Sequence, residues 1–221
     1  MIAEFIGCLF RFLHGSGGGA SVGTVRLSLS PNRGVDVLLI DLSGSMNFDD
    51  YRPTRLGGAV QAVSEFIRLK REATPEAMLG VATFSFSGQE LVSPKPVKNV
   101  TPNEMTMLTQ LHPYGGTNQN AGLVTGWEML RRVGASEGSR IILLTDGWAT
   151  IGCDGMETAR QLKTAGVQLD IVGIGGSPSE VNEEQLRSMA SEVGGKVRYW
   201  FIDSAPKLVE HYRKLSLMPV R

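Results

Sequence analysis

Apolar residues along the chain fall into two alternating periods. Short, nearly unbroken runs at Val35–Asp41, Ala77–Phe86, Arg140–Thr145, Val167–Ile174 and Lys196–Ile202 have the length and Val/Ile/Leu content of buried strands. Between them, apolar positions recur every three or four residues, which predicts helices over Arg55–Glu72, Asn120–Val133, Thr158–Ala165, Val181–Val193 and Ala205–Leu217. In the first of these, Ala59, Val63, Phe66 and Ile67 form the buried stripe. Pro75 ends that helix, Gly166 is a C-cap for the third, and Gly194-Gly195 closes the fourth. Thr101-Pro102-Asn103-Glu104 has capping-box spacing with proline at the first helical position, so a short helix runs from there to about Leu111. Gln89–Val97 alternates but carries Pro94 and Pro96, which cannot donate to a ladder; it is an edge strand, hairpin-paired with its predecessor. Thr24–Ser30 reads as a further short edge strand.

Strands alternating with helices predict a doubly wound α/β fold: a mostly parallel sheet with one antiparallel edge strand and helices on both faces. The domain spans residues 24–217, with a short tail at 218–221. Residues 1–14 (MIAEFIGCLFRFLH) have helix-like apolar spacing, and the glycine-rich stretch 15–23 is a linker. The first segment is either a docking helix for a partner or membrane, or a fused peptide; membrane contact is expected only through it. It lacks the basic start of a secretory signal.

Composition narrows the function. Lys+Arg and Asp+Glu number 22 each, so the formal net charge is +0, without the basic excess of a nucleic-acid-binding surface. Cys8 and Cys153 lie far apart with no CxxC spacing; they imply no disulfide framework or cysteine metal knuckle and read as free thiols in a reducing, cytoplasmic compartment. His14, His112 and His211 read as structural or exposed. Lys70-Arg71-Glu72 and Arg131-Arg132 read as solvated helix faces. Gly173-Ile174-Gly175-Gly176 follows a strand, but Pro178 stands at the third glycine position of a dinucleotide fingerprint.

The most informative stretch is the first strand and the turn after it. Asp41 ends the apolar run, then Ser43 and Ser45 flank Gly44. Open α/β sheets place ligands at the carboxyl ends of their strands, and these side chains offer only oxygen, as hard cations such as Mg²⁺ require. Asp146-Gly147 ends another strand, and the loop Gly115-Gly116-Thr117 precedes a helix that returns to the sheet, so all three pieces reach one face.

Together, Asp41-Leu42-Ser43-Gly44-Ser45, Gly115-Gly116-Thr117 and Thr145-Asp146-Gly147 resemble the three-part metal-ion-dependent adhesion site of von Willebrand factor type A domains, over about residues 33–215. The resemblance implies that Ser43, Ser45 and Thr117 supply hydroxyl oxygens to Mg²⁺ or Mn²⁺, directly or through water. Asp41 and Asp146 supply the negative charge, and a protein partner's Asp or Glu takes the open position. It also implies a non-enzymatic interaction module. Many family members of bacterial type act beside AAA+ ATPases, so a regulatory subunit of such a system is one expectation; an extracellular adhesion domain is another. A Mg²⁺-dependent phosphohydrolase using Asp41 is the enzymatic alternative, weakened because Ser43 stands where such enzymes carry a second acid. Asp49, Asp50 and Trp148 flank the site in sequence and are candidates for partner contact.

Overall fold

The computed structural model describes residues 34–135 and 137–219. The readings made for residues 1–33, including the strand at 24–30, lie outside the described residues. A six-stranded sheet runs in the order β3-β2-β1-β4-β5-β8. Its strands are β1 (Val35–Asp41), β2 (Met78–Phe84), β3 (Gly88–Pro96), β4 (Arg140–Thr145), β5 (Gln168–Ile174) and β8 (Tyr199–Ile202). All adjacent pairs are parallel except β2–β3, which is antiparallel. The proline-bearing β3 is therefore an edge strand, as its sequence requires.

Residues of β1, β4 and β5 are buried throughout, because helices cover both faces. Alternate side chains go to opposite sides. Leu38 and Ile40 join α1 (Arg55–Ala73), α2 (Pro102–Thr109) and α6 (Ala205–Leu217); Val37 and Leu39 join α3 (Gln119–Arg132), α4 (Met156–Thr164) and α5 (Glu183–Met189). Each such fully buried Leu or Ile contributes roughly 1.5–3 kcal/mol. α1 and α6 meet through Phe66 and Tyr212, edge to face at 6.2 Å. The Thr101–Glu104 capping box is present with both of its reciprocal bonds.

Four expectations are corrected. The helix read over Val181–Val193 is shorter, ending at Met189. Beyond it, Glu192–Val193 (β6) pairs antiparallel with Lys196–Val197 (β7) around Gly194-Gly195. Both glycines have positive φ (59° and 73°), which a two-residue hairpin turn of this hand demands. The last strand is accordingly divided, with only Tyr199–Ile202 in the main sheet. Cys153 is not a free thiol but is engaged in an interaction; Cys8 lies outside the described residues. Lys70, read as part of a solvated cluster, is buried and ion-paired with Asp36 at 2.8 Å.

That pair belongs to a buried charge ladder across the amino ends of the strands. Asp36 on β1 also accepts from Arg140 Nε on β4 at 2.9 Å. Arg140 lies 3.5 Å from Asp170 on β5 and donates to the Leu215 carbonyl of α6 at 3.0 Å. Asp170 accepts two further bonds, at 2.9 and 2.8 Å, from Arg198 just before β8. Asp36, Arg140 and Asp170 share the strand parity of Leu38, Ile142 and Val172, so the ladder lies under α1 and α6.

Candidate functional site

The carboxyl ends of β1 and β4 lie side by side, because the two strands pair in parallel register from Asp36↔Arg140 to Ile40↔Leu144. Asp41 and Asp146 are consequently neighbours at one face of the sheet. Asp41 is fully buried. Its Oδ1 accepts from Ser43 N at 2.7 Å, and its Oδ2 from Thr145 Oγ1 at 2.7 Å. Neither donor carries charge. Burial, together with the negative charge of Asp146, raises the Asp41 pKa to about 7.

After Leu42 the chain turns sharply through a 3₁₀ segment at Gly44–Asn47, which aims both serine hydroxyls at Asp146. Ser45 Oγ donates to Asp146 Oδ1 at 2.9 Å and Ser43 Oγ reaches the same oxygen at 3.4 Å; the two hydroxyls are 3.2 Å apart. Three oxygens thus form a triangle with edges of 2.9, 3.2 and 3.4 Å. Adjacent ligands on an octahedral Mg²⁺, at about 2.1 Å from the ion, stand about 3.0 Å apart. The edges of the triangle are close to that length or somewhat longer, so the oxygens present are of the type and near the spacing such an ion would need. Among the described residues no group of three or more His, Cys, Asp or Glu side chains could hold a metal. A cation here would depend on hydroxyl oxygens.

Thr117 is carried by the loop that leads into α3. Backbone bonds stitch this loop to its neighbours: Gly44 N to Gly115 O at 3.0 Å, Tyr114 N to Leu42 O at 2.6 Å, and Asn118 N to Ser85 O at 2.8 Å. Thr150 holds Thr117 from the other side, with Thr117 N donating to Thr150 Oγ1 at 2.9 Å and Thr150 N to Thr117 O at 3.0 Å. Gly115 is required at its position. Its φ is +70°, and a Cβ there would sit 2.2 Å from the Phe86 ring. Thr117 Oγ1 lies 4.0 Å from where a Cβ on Gly147 would be, which places the hydroxyl beside the Asp146 loop.

The sequence reading missed Arg55. It is the first residue of α1, and its side chain is only 5% exposed. Nη1 donates to Asp146 Oδ2 at 3.1 Å, Nε to Asp50 Oδ1 at 2.9 Å, and Nη2 to both Asp50 Oδ2 and Glu180. Burial alone would weaken the guanidinium's charge, but Asp50 and Asp146 more than offset it, and the pKa is raised. Arg55 in turn holds the Asp50 pKa below the usual carboxylate range. Burial raises the pKa of Asp146, against the hydrogen bond from Ser45 and the pull of Arg55.

A groove of about 520 Å³ opens on these residues, lined among others by Ser45, Thr117, Asp146, Arg55, Phe48 and Trp148. Phe48 and Trp148 are exposed (56% and 54%). Asp49 is exposed on the same rim, whereas Asp50 is engaged by Arg55 and by Gly176 N at 3.0 Å. The structure thus brings Asp41, Ser43, Ser45 and Asp146 into one hydrogen-bonded cluster, with Thr117 on the groove wall beside it and Trp148 at its mouth.

Comparison with known proteins bears on the family. The model for the von Willebrand factor type A domain matches residues 37–148. A "UPF0353 protein" of Mycolicibacterium paratuberculosis is 29% identical over 188 residues, covering 74% of this chain and 54% of the relative. Another from Mycobacterium sp. (strain KMS) is 30% identical over 169 residues, 70% of this chain and 49% of the relative. The chain spans about half the length of the curated relatives it matches. Among solved structures, a von Willebrand factor type A protein from Catenulispora acidiphila superposes with a TM-score of 0.69 at 23% identity, over 83% of this chain and 42% of that one. The vWF domain of the type V pili tip protein Mfa5 from Porphyromonas gingivalis gives 0.68 at 13% identity, over 83% and 94%. These structural matches share the fold.

Proposed function

The chain belongs to the von Willebrand factor type A domain family, and from that premise we propose that it is a metal-dependent protein-interaction module. Ser43, Ser45 and Asp146 would hold a Mg²⁺ or Mn²⁺ ion, with Thr117 and Asp41 completing its surroundings. The ion would supply an electrophilic centre for an Asp or Glu carboxylate of the partner. The observation that carries this reading is the triangle of three oxygens with edges near octahedral lengths. The hydroxyl-rich set supports it as well, because hydroxyls do not neutralise the ion and leave it attractive to an incoming anion.

The arrangement argues against Asp41 as a nucleophile. The side chain is fully buried, both its oxygens are already hydrogen-bonded, and it does not line the groove. Asp41 instead would stand behind the triangle as a buried carboxylate whose negative charge a bound cation would favour. Trp148, Phe48 and Asp49 line the rim of the groove and would contact the partner around the coordinated carboxylate. The relatives are bacterial, which favours a bacterial assembly as the setting. No described helix is long and apolar enough to cross a membrane. The pilus tip protein is a match of fold alone and brings no extracellular role to this chain.

The test is calorimetric titration of Mg²⁺ and Mn²⁺ into the wild type, Asp41→Ala and Ser45→Ala. Binding by the wild type that both substitutions weaken or abolish is expected. Equal binding by all three would sink the site assignment.

A further inference from the structure

We propose that Arg55 is a built-in counter-charge that lowers the metal affinity of this site, while Asp50 and Glu180 restrain it. The proposal rests on the metal-binding reading above. Its basis is that one carboxylate is shared. Asp146 Oδ1 is a corner of the oxygen triangle, and Oδ2 of the same group accepts from Arg55 Nη1 at 3.1 Å. The guanidinium is bonded to the other oxygen of that group, so it competes with an ion for the charge of Asp146. A unit charge this close to a divalent ion is strongly repelled, and the groove wall dilutes that repulsion less than bulk water does.

Arg55 is held where it is. The Phe48 ring covers its guanidinium at 5.0 Å. Carboxylates from three loops grip it: Asp50 after β1, Asp146 after β4 and Glu180 after β5. Asp50 and Glu180 are themselves tied together, because Gly176 N donates to both, at 3.0 and 3.2 Å. The two rim carboxylates therefore draw the positive charge away from Asp146. Removing either one turns Arg55 more fully onto the triangle.

Opposite signs follow for residues that touch each other. The experiment is titration of Mg²⁺ and of Mn²⁺ into the full chain at pH 8 and low salt, with thermal melting of every variant. Arg55→Gln should bind roughly tenfold tighter or more, and Asp50→Asn and Glu180→Gln several-fold more weakly than wild type. Arg55→Lys keeps the charge and should not tighten binding. If Arg55 were only a scaffold, all four substitutions would weaken binding, and that result would overturn the proposal. Should Arg55→Gln fail to fold, Arg55→Met takes its place: tighter binding than wild type upholds the proposal, and binding no tighter than wild type overturns it. A wild type that binds neither ion removes the metal reading and this proposal together. A wild type that binds, with Arg55→Gln folded but no tighter, removes this proposal alone.

Discussion

Thr145 donates its hydroxyl to Asp41 Oδ2 at 2.7 Å, joining the tips of two adjacent parallel strands. The other Asp41 oxygen is held by the amide of Ser43, inside the turn that carries the serine hydroxyls. The carboxylate is thus aimed from both sides, and it stays buried behind the triangle. Thr145→Val keeps the shape and removes the donor. A hydrogen bond to a charged group is worth about 1.5–3 kcal/mol, so Mg²⁺ affinity should fall roughly tenfold or more, and Thr145→Ser should restore it. Calorimetry reads the affinity, and melting confirms that the fold is kept.

Gly115 links the second loop to the first through its carbonyl bond to Gly44 N. Gly115→Ala puts a side chain into positive φ and against Phe86. We expect a loss of about 1–3 kcal/mol in stability. Mg²⁺ binding should weaken beyond what that loss explains, because Thr117 two residues later moves with the loop. Denaturant unfolding and titration on the same sample separate the two effects.

At the far end of the sheet, Asp36 is gripped by Lys70 and Arg140. Asp36→Ala leaves two buried cations short of a partner and should cost about 3–5 kcal/mol. The exposed Arg68–Glu72 pair is the control; Glu72→Ala should cost less than about 1 kcal/mol. Urea unfolding of the two variants measures the contrast.

His211 on α6 lies against Trp200 at 4.5 Å between ring centres, and its Nε2 is buried without a hydrogen-bond partner. Burial lowers its pKa to about 4; Asp170 opposes the shift, while Arg198 and Lys214 add to it. The unfolded chain takes up that proton near pH 6.5. Protonation therefore favours unfolding between about pH 6.5 and 4. The contribution of neutral His211 to stability is whole above that window and lost as pH falls through it. His211→Phe should flatten the stability profile there relative to wild type, as melting temperatures across the range would show.

The frame of the domain could be read from local pattern. β1, β4 and α6 follow directly from apolar runs and helical spacing, and Asp41, Ser43, Ser45, Thr117 and Asp146 stand at strand ends and loops that the βα alternation predicts. What escaped was pairing across the fold. Arg55 and Lys70 lie on the same stripe of α1 as Ala59, Val63, Phe66 and Ile67. A charged residue at each end of an apolar stripe was the available signal, because buried charge requires a partner. Two of those partners, Asp146 and Asp36, lie on other elements at opposite ends of the strands, 91 and 34 residues away, so local pattern could not pair them. The β6–β7 hairpin escaped for a different reason: two residues per strand are too few to show a period.

The charge ladder also bears on how the protein is made. Its cations and carboxylates are laid down in chain order from Asp36 to Arg198, and Arg140 needs the Leu215 carbonyl as well. A nascent chain that has emerged only as far as β5 holds Asp36, Lys70, Arg140 and Asp170, but Arg198 and the Leu215 carbonyl, which complete the bonding of Asp170 and Arg140, are still to come. The loops that carry Asp41, Thr117 and Asp146 are already synthesised by then, but the sheet beneath them is not yet closed at its other end. The groove is therefore expected to take its final shape only once β8 and α6 have docked, and a chain cut short before Arg198 is expected to lose the groove together with the ladder.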